Sequence, residues 1–124
     1  MHSSNSGGLC AVIRDSMLIL FFEFLGTLLL TLLYNTSLTY LDFCGFISGT
    51  YVLLVLSAKI SGSHYNPAIT LAFMLRRDTG RFSRALGFAY IIVQFIGAFG
   101  GALLAYLFIG NSGFIGLTGS STSD

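Results

Sequence analysis

The sequence predicts an all-α membrane protein with three transmembrane helices and one re-entrant half-helix. Of its 124 residues, 54% are hydrophobic and 9% are charged, whereas charged residues make up about 25% of a typical soluble domain. Three apolar stretches approach or exceed the ~20 residues that a helix needs to cross a bilayer. A fourth and shorter apolar stretch follows Asn66 and Pro67, and it accounts for the half-helix.

The chain is expected to form one membrane domain between two flanking segments. We predict a flexible N-terminal segment at residues 1–16 and a Gly/Ser-rich tail at residues 111–124. The predicted spans are residues 17–34, 43–60 and 84–109, and the re-entrant loop with its half-helix occupies residues 61–75. No stretch is left for a separate soluble domain.

The half-helix is predicted from the residues that start it. Asn is a preferred N-cap, and Pro at the first helical position loses no hydrogen bond. The apolar run at residues 68–75 covers only about one third of a bilayer-spanning length. Irregular backbone before it, at residues 62–65, is tolerated at membrane depth only where it lines a cavity or is covered by protein. The segment therefore indicates part of a pore, although an ordinary N-cap in a loop kept for folding alone would use the same residues.

The basic residues predict the orientation of the chain. Lys and Arg favour the cytoplasmic-type face of a membrane. If the chain crosses three times, all six lie on one side: Arg14, Lys59, Arg76, Arg77, Arg81 and Arg84. The N-terminus and the re-entrant loop are therefore predicted on the inner face, of cytoplasmic or matrix type.

Several classes of function are disfavoured by the residue pattern. A net charge of +1 without a basic stripe does not indicate nucleic-acid binding. No Cys/His cluster has metal-ligand spacing, and no catalytic constellation is present, so we expect no metal, no cofactor and no enzymatic activity. Cys10 is predicted on the inner side and Cys44 at the outer end of the second span, ~30 Å apart, which is too far for a disulfide.

Five glycines are predicted to let helices approach closely. Gly45 and Gly49 are four residues apart, as are Gly97 and Gly101, and this small-residue spacing packs helices together in lipid. Gly26 in the first span is expected to act in the same way.

Glu23 is an acidic residue inside the first predicted span. A carboxylate within a membrane is costly unless it is paired or hydrogen-bonded. Glu23 is therefore a candidate functional or supporting residue.

Three segments, in order, resemble the first half of an aquaporin, the major intrinsic protein family of water and small-solute channels. Along the chain they are Glu23-Phe24-Leu25-Gly26-Thr27, Ser61-Gly62-Ser63-His64-Tyr65-Asn66-Pro67-Ala68, and Tyr90-Ile91-Ile92-Val93-Gln94 followed by Gly97-Ala98. The resemblance covers residues 17–110. The sequence contains one Pro and hence one Asn-Pro-Ala motif, whereas aquaporins have two inverted halves that each carry one.

The resemblance implies roles for individual residues. Asn66 would donate its amide N–H to water in the pore, beside Pro67 and Ala68, and the carbonyls of residues 62–65 would form a ladder of acceptors leading to it. Glu23 would accept hydrogen bonds from loop N–H groups, with Gln94 as its neighbour. Phe46 lies twenty residues before Asn66, which matches the aromatic of the family's water-selective filter, although a packing or lipid-facing role is an equal alternative. For His64, the inner vestibule and a structural hydrogen bond both remain open.

Three hypotheses follow for the function. The chain is a half-channel for passive transport of water or a small neutral solute that needs a complementary half. Alternatively, it is a non-conducting, aquaporin-derived structural subunit of a larger membrane complex, or a processed or incomplete six-helix channel. The expected partners are membrane lipid and another membrane protein that covers the re-entrant loop. A conducting homodimer is not expected, because one copy would have to be inverted against its charge bias.

Overall fold

The computed structural model describes residues 6–76 and 82–110, with side chains from residue 11 onward. Four helices account for most of these residues: α1 (Ser6–Tyr40), α2 (Phe43–Ser57), α3 (Pro67–Leu75) and α4 (Arg84–Ile109). No strand occurs in the described ranges. The all-α class predicted from the sequence is confirmed.

Two of the four helices are long and apolar enough to cross a membrane. They are α1 from Ala11 to Tyr40 and α4 from Arg84 to Ile109. The apolar helix α2 has 15 residues, which at 1.5 Å per residue gives a length of ~22 Å against a hydrocarbon core of ~30 Å. Helix α3 has 9 residues and begins at Pro67, with Asn66 as its N-cap, at the start that the sequence predicted.

Helix α1 is longer at both ends than the predicted span 17–34. It begins at Ser6, so residues 6–16 are helical where a flexible segment was expected; residues 1–5 and the predicted tail 111–124 lie outside the described residues. At the other end, the polar residues after Tyr34 continue α1, because their side chains form hydrogen bonds to main-chain carbonyls of the same helix. Asn35 Nδ2 donates to the Thr31 carbonyl at 2.8 Å, and Thr39 Oγ1 donates to the Asn35 carbonyl at 3.0 Å.

The interior of the molecule is polar and its surface is apolar. Among the described residues, the largest fully buried side chains are Tyr90, Gln94, Glu23, Thr70 and Ser57. Large hydrophobic side chains stand outside, and Phe99 and Phe108 are each 75% exposed. This is the reverse of a soluble domain, in which apolar residues fill the core and charged residues are rarely buried. It suits a chain surrounded by lipid.

Helix α4 packs closely along α1 at two glycines. A Cβ at Gly97 would collide with the Phe24 carbonyl, and one at Gly101 with the Leu28 carbonyl. Gly49 of α2 similarly makes room for the Leu33 side chain of α1. These three positions allow short interhelical distances, as small residues do in membrane helices.

Gly26 and Gly45 do not make room for a neighbouring helix, in contrast to the sequence-based expectation. A Cβ at Gly26 would run into the ring of Tyr65, which comes from the loop between α2 and α3. A Cβ at Gly45 would meet the carboxylate of Asp42, the N-cap of its own helix. Residue spacing shows on which face of a helix a glycine lies, but not which group packs against that face.

Replacing Gly101 by Ala should destabilise the fold, whereas the same change at Gly100 should not. The new methyl group of Gly101→Ala would overlap main-chain atoms of α1, and overpacking of this kind costs about 1–3 kcal/mol. At Gly100 the nearest atom is Leu28 Cδ1 at 3.4 Å, so Gly100→Ala should keep or raise the stability by up to ~1 kcal/mol. Thermal unfolding in detergent micelles compares the two, and equal midpoints would contradict the packing.

Candidate pore-loop site

The loop between α2 and α3, residues 58–66, has an unusual backbone. Gly62 has a φ of +88°, and two residues other than Gly are also left-handed, Ser63 at +53° and Tyr65 at +48°. Such conformations are sparsely populated and persist only where the surroundings enforce them. Contacts with α1 and α4 are therefore expected to hold this loop in its conformation.

Glu23 of α1 binds the loop through both carboxylate oxygens. Its Oε1 accepts from Ser61 Oγ at 2.6 Å and from the His64 N–H at 3.0 Å. Its Oε2 accepts from the Tyr65 N–H at 2.8 Å and from Gln94 Nε2 at 2.8 Å. Four donors converge on a side chain with no exposed surface, which suits a deprotonated carboxylate that can only accept.

Gln94 and Thr70 extend this network to α4 and α3. Gln94 Nε2 also donates to Thr70 Oγ1 at 2.9 Å, and Thr70 Oγ1 lies 3.2 Å from His64 Nδ1. Both Gln94 and Thr70 are fully buried. One connected set of hydrogen bonds thus joins α1, the loop, α3 and α4, so the loop position depends on all three helices.

His64 is packed among aromatic rings. Its imidazole stacks on Phe73 with ring centroids 4.5 Å apart, and the rings of Phe82 and Tyr90 lie at 5.4 Å. The side chain is buried. The structure therefore places His64 against α3 and α4 and not on the exposed side of the loop.

Two tyrosines anchor the ends of the loop. Tyr90 of α4 donates its hydroxyl to the Ser61 carbonyl at 2.8 Å. Tyr65 lies against Gly26, and its hydroxyl contacts Ser57 Oγ and the Leu53 carbonyl of α2. Sequence reasoning did not assign a role to Thr70, Ser61 or Ser57. A hydroxyl in an otherwise apolar helix, as at Thr70, is the signal that indicates a buried hydrogen bond.

Asn66 is exposed, as are Gly62 and Ala68. Its Oδ1 accepts from the Ala68 N–H at 2.9 Å, which caps α3, and its Nδ2 has no hydrogen-bond partner within residues 6–76 and 82–110. The carbonyls of residues 62–65 likewise accept no hydrogen bond from the part of the chain that the structure describes. Asn66 Nδ2 and these carbonyls are thus hydrogen-bonding groups close together in the chain that have no partner in the described ranges.

Phe46 is not part of this cluster. It lies in the first turn of α2, eleven residues before Ser57, so about 16 Å along the helix separates it from the start of the loop. Its ring is half-buried and packs edge-on against Tyr34 of α1, with centroids 5.8 Å apart. Glu23, Gln94 and the loop are brought together by the structure, whereas Phe46 stands apart near the other end of α2.

Comparison with known families gives a match to the model of the Major intrinsic protein family over residues 3–123. This chain belongs to the major intrinsic protein family. Its relatives in that family include a propanediol uptake facilitator, PduF, of Salmonella typhimurium, which is 49% identical over 48% of this chain and 21% of its own length.

Two further relatives align over more of the chain. The lens fiber major intrinsic protein of Gallus gallus is 39% identical over 68% of this chain and 34% of its own length. The glycerol uptake facilitator protein of Buchnera aphidicola is 33% identical over 73% of this chain and 38% of its own length. The alignments thus cover between about a fifth and two fifths of these relatives. No solved structure gives a significant match.

Proposed function

We propose that this major intrinsic protein chain forms one half of a channel that passes water or a small neutral solute. The observation that carries the proposal is Asn66, which caps α3 with its Oδ1 and keeps its Nδ2 free on an exposed surface. That amide can donate to the oxygen of a passing water or hydroxyl group. The names of the relatives, which refer to propanediol uptake and glycerol uptake, support this class of solute.

The site suits a neutral solute better than a cation. Asn66 and Pro67 stand at the N-terminus of α3, where the helix dipole gives a partial positive charge. Positive half-helix ends oppose cations and protons in a pore. The carbonyls of residues 62–65 supply acceptors beside the amide donor, so a solute able both to donate and to accept can move along them.

Phe46 is proposed as an aromatic that narrows the pore at the far end of α2. Its distance of about 16 Å along α2 from the loop fits a second constriction separate from Asn66. A ring at that position favours water over the larger glycerol. Tyr34 contacts the Phe46 ring and limits the directions in which it can turn.

We propose that α1, α2 and α4 cross the membrane and that α3 re-enters from the inner face. The described basic residues Arg14, Lys59, Arg76 and Arg84 then lie on the inner side; Arg77 and Arg81 lie outside the described residues. The short α2 is completed by the turn at residues 58–61. Cys44, exposed at the start of α2, should then lie at the outer surface.

This topology predicts one-sided labelling of Cys44. In the Cys10→Ser variant, a membrane-impermeant maleimide added outside sealed right-side-out vesicles should react with nearly every Cys44. Reaction that requires permeabilised vesicles would reverse the orientation. Partial reaction on both sides would indicate two orientations and would remove the argument against a conducting homodimer.

A single half leaves the pore surface open on one side. Gly62, Asn66 and Ala68 are exposed, and unsatisfied polar groups facing lipid cost several kcal/mol each. A complementary half, on another polypeptide or in further sequence, would cover this surface and supply the opposite wall. His64 is buried within the chain and does not belong to the surface that such a partner would contact.

Osmotic permeability of liposomes tests the proposal. Liposomes that hold only this chain should shrink no faster than empty ones. Coexpression with the second half of the lens fiber major intrinsic protein of Gallus gallus should give faster water flux. A flux well above empty liposomes from the single chain would disprove the need for a second half. Stable assembly with that half but no flux of water or glycerol would instead support a non-conducting structural subunit.

A further inference from the structure

A cluster of three hydroxyl groups joins the end of α2 to the loop before α3. It consists of Ser57, the last residue of α2, and the loop residues Ser63 and Tyr65. Ser57 Oγ lies 2.7 Å from Ser63 Oγ, and it also contacts the Tyr65 hydroxyl. Ser57 is 1% exposed and Tyr65 is 5% exposed, so these two side chains of the hydroxyl cluster are enclosed by the protein.

The hydroxyl cluster also binds two main-chain carbonyls in the last turn of α2. Tyr65 Oη donates to the Leu53 carbonyl at 3.0 Å, and Ser63 Oγ donates to the Leu54 carbonyl at 2.9 Å. The Leu54 carbonyl also accepts from the Ala58 N–H at 3.0 Å. A carbonyl oxygen has two lone pairs, so the hydroxyl binds there without displacing the helical hydrogen bond. Residues 63 and 65 are thereby attached to α2 through their side chains.

The two loop residues that bind α2 are the same two that have a strained backbone. Ser63 and Tyr65 are the residues other than Gly in this loop whose φ is positive. A left-handed conformation of such a residue persists only where its surroundings enforce it, and the hydroxyl bonds to α2 supply part of that constraint. Because the peptide unit is planar, the backbone angles of a residue also set the direction of its carbonyl. The carbonyls of residues 63 and 65 therefore depend on the attachment to α2.

Helix packing does not connect α2 to α3 or α4. Among the described helices, the main chain of α2 comes close to that of α1 but not to that of α3 or α4. The hydrogen bonds of Glu23, Gln94 and Thr70 join the loop to α1, α3 and α4, and none of them involves α2. Besides the turn at residues 58–61, the hydroxyl cluster is thus the hydrogen-bonded connection between α2 and the loop in the described ranges.

We infer that the hydroxyl cluster holds α2 in a fixed position relative to Asn66 and so sets the spacing of the two proposed constrictions. Phe46 lies on α2, and Asn66 follows Tyr65 directly. A link from Tyr65 to Ser57 therefore fixes the position of the Phe46 ring relative to the Asn66 amide. Tyr65 and Ser63 are positioning residues, whose hydroxyls act on the shape of the pore and not on the solute. The effect on the solute rests on the proposed function, whereas the attachment of α2 does not.

Double electron–electron resonance between two spin labels tests the attachment in the single chain. One label is placed on Cys44, at the start of α2, and the other on Leu75→Cys, at the end of α3, in a Cys10→Ser background. Both labelled positions are exposed. The measured quantity is the width of the distance distribution between the labels, which reports how firmly α2 is held relative to α3.

Two variants remove one hydroxyl each. Tyr65→Phe leaves Ser57 Oγ with a partner, the Leu53 carbonyl at 3.1 Å, so this variant is expected to fold. The distance distribution should be wider in Tyr65→Phe and in Ser57→Ala than in the unmodified chain. Tyr51→Phe makes the same chemical change on α2 at a side chain that is 67% exposed, and it should leave the width unchanged. Equal widths in all four chains would overturn the inference.

The ratio of glycerol flux to water flux tests the effect on the pore. This ratio does not depend on how many channels assemble, so a variant that only folds less well leaves it unchanged. In liposomes with the second half of the lens fiber major intrinsic protein of Gallus gallus, Tyr65→Phe should raise the ratio about fivefold, which corresponds to one lost hydrogen bond. Combining Tyr65→Phe with Ser57→Ala should add little, because the two hydroxyls act through each other. Tyr51→Phe should keep the ratio of the unmodified chain.

The two measurements distinguish failure of this inference from failure of the proposed channel. A wider distance distribution with an unchanged flux ratio, in liposomes that conduct, would disprove the positioning role. If the unmodified assembly passes neither water nor glycerol, the proposed channel is refuted, and a wider distribution in Tyr65→Phe would still support the attachment of α2 to the loop.

Discussion

Glu23→Leu should abolish the ordered loop between α2 and α3, and Glu23→Gln should weaken it. The Leu side chain leaves four buried donors without an acceptor, among them the N–H groups of His64 and Tyr65. Each unsatisfied buried group costs about 1–3 kcal/mol. A Gln keeps one acceptor oxygen, and either Ser61 or Gln94 can reorient toward its amide. One main-chain N–H is then left unsatisfied, so the expected loss is about 1–3 kcal/mol.

Hydrogen exchange of the loop amides directly measures how far each Glu23 variant weakens the loop. The amides of His64 and Tyr65 should exchange slowly in the unmodified chain, faster in Glu23→Gln and fastest in Glu23→Leu. Thermal unfolding in the same detergent should give the same order. Equal midpoints for the two variants, with unchanged protection of both amides, would show that the carboxylate does not hold the loop.

Asn66→Asp should lower water conduction about tenfold without destabilising the fold. Asp is as good an N-cap as Asn and is favoured by the positive end of the α3 dipole, so the cap on the Ala68 N–H is kept. The variant loses the Nδ2 donor that faces the proposed pore. A hydrogen bond contributes about 1–1.5 kcal/mol, so the water flux of the assembled channel should fall roughly tenfold.

A second variant separates the two roles of Asn66. Asn66→Leu removes both the cap and the donor, so it should lower both the unfolding temperature and the flux, whereas Asn66→Asp should lower only the flux. The added negative charge should also increase the leak of cations. The test uses liposomes in which the unmodified assembly conducts water. If Asn66→Asp leaves the water flux unchanged there, Asn66 acts only as a helix cap.

The parts of the fold that depend on local chemistry could be predicted from the sequence. Asn66 and Pro67 specify the first turn of α3 by themselves, since one supplies the cap and the other needs no hydrogen bond. Glu23 could be identified from the sequence as a candidate supporting residue, because a carboxylate in an apolar span requires hydrogen-bond partners. Its association with Gln94 came from the family resemblance, not from spacing.

The parts that depend on tertiary contacts could not be predicted in this way. Gly26 fits the small-residue pattern of helix packing, but the space beside it is filled by the ring of Tyr65, which is far away in the sequence. The first span was predicted to end at residue 34, where the apolar run stops, but α1 continues to Tyr40. The side chains of Asn35 and Thr39 bond to carbonyls of the same helix, so the polar run does not interrupt it.

The partners of Glu23 also constrain the order in which the protein can be made. The carboxylate is synthesised in α1, whereas the N–H groups that bind it follow 41 and 42 residues later and the Gln94 amide follows 71 residues later. Until those residues have been synthesised, the Glu23 side chain lacks the partners that it has in the folded chain, although α1 is already long and apolar enough to cross a membrane. The loop cannot reach its final geometry until α4 has been inserted. The hydrogen bonds of Glu23 are thus expected to be completed only after α4 is in place, when Gln94 reaches α1 and the loop.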